Sequence, residues 1–174
     1  MQGEVSKWRA LITPFTDGNG LDIGYGGYSI GSTTINMDLP TRYSHGTDPQ
    51  HLSGDCRALE WFRDGVLDYV FSSHVLEDFS AAEKPVILAE WWRIVKSPAG
   101  YLILLLPDEK KYREYQNSQL HGHNPRHQDP DFGLKSCLTL VQELPGAVII
   151  KKQELFTLPG GKPDYNFLIV AMKR

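Results

Sequence analysis

The chain has 174 residues, 41% hydrophobic and 22% charged, with a formal net charge of -3. That is the composition of one soluble domain with room for a sizeable core, and it lacks the basic footprint of a nucleic-acid binder. "YLILLL" at 101–106 is too short to cross a bilayer, and "MQGEVSKWRA" holds no run of signal-peptide length, so a cytoplasmic protein is expected. Residues 1–18 read as a lead-in with one short apolar segment, "WRALITPF". "GLDIG" (20–24) reads as a strand running into a glycine turn. The β-branched "STTINMD" (32–38) is a second strand. "TRYSHGTDPQ" (41–50) is turn-rich, "HLSGD" a weak third strand, and "CRALEWFRDG" a short helix stopped by Gly65. "VLDYVFSS" (66–73) is apolar nearly throughout, as in a strand covered on both faces.

"SAAEKPVILAEWWRIVK" (80–96) carries the clearest helical pattern, with Ser80 and Glu83 in capping-box register and Pro85 near the first turn. Trp91 and Trp92 there, with Trp61 upstream, read as packing residues. "YLILLLP" is a fifth, buried strand; "DEKKYREYQNSQL" is a polar helix, "HGHNPRHQDPDFG" an irregular loop and "LKSCLTLVQEL" a helix. "AVIIKKQELFTL" and "DYNFLIVAMKR" close the chain as strands joined by the turn "PGGKPD". Crossovers between the first five strands predict a mainly parallel sheet, and the short last turn predicts an antiparallel hairpin at one edge. Cys56 and Cys137 lie far apart and read as reduced thiols, one disulfide being the alternative.

Five glycines fall within "GLDIGYGGYSIG", behind the first strand, and Asp38 ends the second. In such a sheet ligands bind beyond the carboxyl ends of the strands, glycines let backbone approach them, and an acid on the second strand can accept from ribose hydroxyls. A dinucleotide fingerprint needs G-x-G-x-x-G opening a helix; here Gly31 is out of register and "YSIGSTTIN" is no helix former. Gly27-Tyr28-Ser29-Ile30-Gly31 matches G-x-S-x-G formally, but a hydrolase elbow needs a helix after the serine.

The third reading rests on motifs in order. Asp22-Ile23-Gly24-Tyr25-Gly26 matches D-x-G-x-G, Asp38 a second-strand acid and Asp55 a third-strand acid. "LDYVFSSHVLEDF" (67–79) matches f-D-x-V-x-s-s-H-V-L-E-H, with Asp78 for the last histidine, and "AEWWRIVKSPAGYLILLLPD" (89–108) matches E-x-x-R-V-L-K-P-G-G-y-l-x-l-x-x-P-D. On these residues the chain resembles the class I S-adenosylmethionine (SAM)-dependent methyltransferases, most closely a compact type-11-like group whose first helix is reduced to a loop. The resemblance implies a Rossmann-like sheet of order 3-2-1-4-5-7-6 with helices on both faces. It also implies methyl transfer from SAM to a small or medium-sized acceptor. Its cofactor-binding positions would be Asp22, Gly24, Tyr25, Gly26, Asp38, Asp55, Cys56 and Ser72. The alternatives are a SAM- or nucleoside-binding protein without catalysis and, more remotely, a nicotinamide-dependent oxidoreductase.

Methyl transfer from a sulfonium needs positioning and water exclusion more than it needs a triad or a metal. Two roles are open to His74 at the pocket mouth: general base, or a brace bonded to Glu77 or the backbone. His121, His123 and His127 have ligand-like spacing without a scaffold, so the reading is a mobile, substrate-facing lid at about 108–135 and no metal. The whole chain is expected to be a single domain.

Overall fold

The computed structural model describes residues 4–40 and 46–174. The first half of the turn-rich 41–50 segment therefore lies outside the described residues. Seven strands form one sheet in the order β3-β2-β1-β4-β5-β7-β6. They are β1 (Gly20–Ile23), β2 (Thr34–Asp38), β3 (Leu52–Ser53), β4 (Tyr69–Ser73), β5 (Tyr101–Pro107), β6 (Ala147–Thr157) and β7 (Pro163–Lys173). The first five run parallel, and β7 pairs antiparallel with both β5 and β6. Order and hairpin agree with expectation.

The apolar runs are continuous because both faces of the central strands are covered. Leu102, Leu104 and Leu106 of β5 join Val70, Phe167 and Ile169 in one core, against helices α2 (Lys84–Ile94) and α4 (Leu134–Gln142). Ile103 and Leu105 face the other way, with Tyr69, Phe71, Leu168 and Val170. Helix α1 (Glu4–Ile12) covers that second face through Val5, Trp8 and Ile12, one stripe at helical spacing. This helix corrects the lead-in reading of residues 1–18: its buried anchors are three single residues in a nine-residue helix and Pro14 follows it, so the stripe is thin in sequence.

No helix separates β1 from β2, as the glycine-rich stretch implied. The helix expected at 56–65 is also missing, and that expectation is corrected to a series of turns. Arg93 of α2 donates to the carbonyls of Leu59 and Phe62, and Glu90 accepts from Leu59 N. The backbone groups a helix would pair internally are thus held from outside. Trp61 stands 57 % exposed, against its expected packing role, whereas Trp91 and Trp92 are buried and donate to the carbonyls of Cys56 and Pro145. Helix α2 begins four residues later than expected; Ser80 N and Oγ donate to Glu83 Oε2, closing a turn ahead of it. No helix among the described residues is long and apolar enough to cross a membrane.

Candidate functional site

The carboxyl ends of β1, β2 and β4 open into one cleft of ≈ 650 Å³, within the size range of small-molecule sites. Gly24 and Gly26 lie at its floor, Met37, Asp38 and Leu39 on one side, and Gly54, Asp55, Cys56 and Arg57 at one end. His74, Val75, Glu77, Asp78 and Phe79 form the wall that follows β4. The far end is closed by Tyr112 and Gln116 of helix α3 (Glu109–Ser118), by Asn124, Arg126 and His127 of the connection to α4, and by Tyr165 of β7.

The glycine turn is held by Gly24 N on Met37 O at 2.9 Å and by Gly26 N on Asp38 Oδ2 at 3.3 Å. Both glycines have positive φ, 72° and 59°, where side chains are disfavoured. A Cβ on Gly24 would run into Val75, while one on Gly26 would meet, among the described residues, only Gly24 O at 3.9 Å. Gly26 therefore leaves open the space a side chain would take.

Asp38 is half-buried, and its Oδ1 accepts from Leu39 N at 2.8 Å. A carboxylate has about four lone-pair sites, so two remain beyond Gly26 N and Leu39 N. Asp55 is clamped by Arg57 Nε at 3.0 Å and Nη2 at 2.6 Å, bonds that hold its carboxyl below the usual range. Burial pushes the Cys56 thiol up to about 12, so it is a neutral lining group.

Three expected cofactor positions do not line the cleft. Asp22 is fully buried behind the glycine stretch, on the opposite face of β1, because alternate residues of a strand point apart. Its Oδ2 accepts from Ile30 N at 3.2 Å, and burial raises its carboxyl to about 8. Arg9 of α1 anchors the same segment by donating to Ser29 O and Ile30 O. The Tyr25 hydroxyl turns away to donate to Asp48 O, and the buried Ser72 Oγ donates to Ile23 O, tying β4 to β1. Ser29 Oγ donates to Gly31 O with no helix after it, so the elbow of a serine hydrolase is absent.

The far end is polar and aromatic. His74 has φ 55°; its Nε2 is 2.8 Å from Asn166 Oδ1 and its Nδ1 is 3.4 Å from Glu77 Oε1. Glu77 is 1 % exposed, neither of its oxygens has a hydrogen-bond partner among the described residues, and burial raises its carboxyl well above the ordinary value. His127 lies tilted against Tyr112 with ring centroids 4.6 Å apart, bonds through Nδ1 to Glu109 Oε2 at 2.7 Å, and brings Nε2 to 4.0 Å from Glu77 Oε1. The loop carrying His127 is pinned rather than loose. Gln128 donates to the carbonyls of Glu77 and Asp78, and Lys84, itself buried, donates to Asp129 Oδ2 at 3.0 Å. His121 and His123 are exposed, and among the described residues no group of three His, Cys, Asp or Glu could hold a metal ion.

Arg57, Tyr112, Tyr165, Asn166 and Glu109 were not singled out in the sequence. Alternation along "PDYNFL" would have put Asp164 and Asn166 on one face of a strand that begins at the cleft; nothing local marks the others.

Residues 21–104 match the family model described as a methyltransferase domain. No curated protein matches the chain. Among solved structures, a SAM-dependent methyltransferase from Archaeoglobus fulgidus is similar at 16% identity and TM-score 0.71, over 97% of this chain and 92% of that one. A "possible histamine N-methyltransferase" from Thermotoga maritima is similar at 19% identity and TM-score 0.69, over 98% and 89%. A chain of a Haloferax volcanii complex between a methyltransferase and its activator is similar at 17% identity and TM-score 0.67, over 97% and 91%. Family model and fold support S-adenosylmethionine as the cofactor. The resemblance carried by the motifs is borne out: residues 21–104 match the methyltransferase-domain model, and the chain has the fold of solved SAM-dependent methyltransferases.

Proposed function

We propose that the protein transfers a methyl group from SAM to a small or medium-sized acceptor, within a single domain. The observation that carries this reading is one continuous cleft with two chemically different ends. At one end lie the bare Gly26 turn, the free acceptor capacity of Asp38 and the Asp55–Arg57 pair. At the other lie aromatic rings and ionisable groups with no part in holding a nucleoside.

The residues present fit the cofactor. Asp38 would accept from ribose hydroxyls, and the neutral, apolar Met37, Leu39 and Cys56 would flank a base with Asp55 at its edge. Gly24 and Gly26 would let backbone approach the chain carrying the sulfonium. When bound, SAM supplies an already activated methyl group. The protein's own share is to orient the acceptor among Tyr112, Tyr165 and the post-β4 wall, and to exclude water. Asp22, Tyr25 and Ser72 act at one remove: each fixes backbone beside the cleft. The stretch of about 108–135 acts as a lid over the acceptor end, supported by the Gln128 and Lys84 bonds.

Purified protein should retain or bind S-adenosylhomocysteine, detected by mass spectrometry and calorimetry. Incubated with methyl-labelled SAM and a fractionated metabolite extract, it should label at least one small molecule. Binding without any transfer would leave a SAM-binding protein; failure to bind would remove the reading altogether.

A further inference from the structure

The hydrogen positions at the acceptor end follow from their partners. Asp164 accepts from three donors, Trp8 Nε1, Tyr165 N and Asn166 Nδ2. They also fix the Asn166 amide with Oδ1 toward His74. His74 Nε2 therefore carries a hydrogen committed to Asn166, and its Nδ1 is turned to Glu77. That ring is bonded into the scaffold, the bracing role of the two open to it.

The second imidazole is held differently. Arg113 Nε donates to Glu109 Oε1 at 2.7 Å, so Glu109 is an acceptor, and its Oε2 stands 2.7 Å from His127 Nδ1. The hydrogen of a neutral His127 accordingly sits on Nδ1 and the lone pair on Nε2. The His127 side chain is 5 % exposed and lines the cleft, with Nε2 toward Glu77 at 4.0 Å. Tyr112 lies against one side of the ring. An imidazole lone pair on the wall of a cleft, with a carboxylate behind the other nitrogen, is the geometry of an oriented general base.

The geometry points to His127 as the general base of the proposed transfer, Glu109 as its positioning residue, and an acceptor that must lose a proton, an O–H or N–H group. The inference rests on the methyl-transfer reading above. The acceptor atom's lone pair forms the bond to the methyl carbon while the methyl–sulfur bond breaks with its pair on sulfur. The O–H or N–H proton moves to His127 Nε2, its bonding pair staying on the acceptor atom, and the imidazolium later releases the proton to water. Its positive charge is met by Glu109, and by Glu77 when that is ionised. Among the described residues, the other charged or titratable groups around it include Asp78 beside Glu77, Lys84 of α2 acting on Glu77, Tyr112 and Arg113 on α3, Tyr165 of β7, His74 after β4, and Arg126 on its own loop.

Two measurements test this separately. Long-range proton–nitrogen spectra of 15N-histidine protein saturated with S-adenosylhomocysteine, above neutral pH and assigned with His127→Gln and His74→Gln, need no acceptor. His127 should be the Nδ1–H tautomer, Glu109→Gln should shift it toward Nε2–H, and His74 should be Nε2–H. A His127 that is Nε2–H, or an imidazolium, in the parent overturns the assignment even if methyl transfer occurs. In the second arm, transfer of labelled methyl is measured to simple phenols, amines and thiols as probes. His127→Gln should lower turnover of phenols or amines by roughly 10²–10⁴-fold with S-adenosylhomocysteine affinity unchanged, and Glu109→Gln should lower it less. A smaller loss, or a parallel loss of cofactor binding, refutes a base. No transfer to any probe or extract would instead sink the methyl-transfer reading and this inference with it.

Discussion

Asp38→Asn is the sharpest test of the cofactor end. The carboxylate accepts from Gly26 N at 3.3 Å and Leu39 N at 2.8 Å, one on each oxygen. Its two remaining acceptor sites are those assigned to ribose hydroxyls. Asparagine keeps the shape but has one acceptor oxygen in place of two. Whichever way the amide turns, a backbone N–H loses its partner and a hydroxyl meets an NH₂. A hydrogen bond to a charged group contributes about 1.5–3 kcal/mol, so one lost hydroxyl bond weakens binding by roughly 10- to 150-fold. SAM and S-adenosylhomocysteine share the ribose and should weaken together, leaving their affinity ratio nearly unchanged in titration calorimetry. A 2′-deoxy analogue has one hydroxyl fewer and should lose much less. The lost backbone partner is a separate, smaller effect of about 1 kcal/mol on thermal stability. If Asp38→Asn binds SAM as the parent does, or the deoxy analogue suffers the full loss, Asp38 is not the ribose ligand.

Three further outcomes are expected. Gly26→Val should abolish detectable SAM binding by calorimetry while the circular dichroism spectrum stays that of a folded protein, because the new side chain enters open cleft rather than packed core; unchanged affinity would take the glycine turn out of the site. Burial raises the Asp22 carboxyl from an ordinary 3.8 to about 8, so ionisation favours the unfolded chain and stability falls as pH rises between those values. Asp22→Asn does not titrate; its stability relative to the parent should grow across that window by on the order of a few kcal/mol, and parallel pH profiles in urea unfolding would contradict the burial argument. Arg93 donates to Glu90, Asp64 and the carbonyls of Leu59 and Phe62; Arg93→Lys cannot reach all of them and should destabilise by about 1–3 kcal/mol, with 56–65 the first segment to lose hydrogen-exchange protection.

The strand order came from the resemblance, whereas the buried parallel strands and the final hairpin were legible because two local signals agreed. Apolar runs such as "YLILLL" are what a strand buried on both faces needs, and "PGGKPD" leaves no length for a crossover. Segments held by distant partners were not legible. "CRALEWFRDG" has the composition of a helix, yet its carbonyls are drawn off by Arg93, which lies 31 residues beyond Phe62 in the chain. The candidate site divides along the same line. Gly24, Gly26, Asp38 and Asp55 sit on turns at strand ends, where short spacing in sequence is short distance in space, and all four reach the cleft. Asp22 belongs to the same motif but lies one pleat away from the ligand side, so matching the motif said that it mattered without saying that it faces inward. The acceptor end is assembled from β4, α3, the following loop and β7, with Glu109 and His127 meeting Glu77 across the fold. In the sequence "HGHNPRHQD" offered three equivalent histidines. What singles out His127 is a carboxylate eighteen residues upstream, held in place by an arginine on its own helix. The end proposed for the cofactor is thus written in local motifs, and the end proposed for the acceptor is written in tertiary contacts.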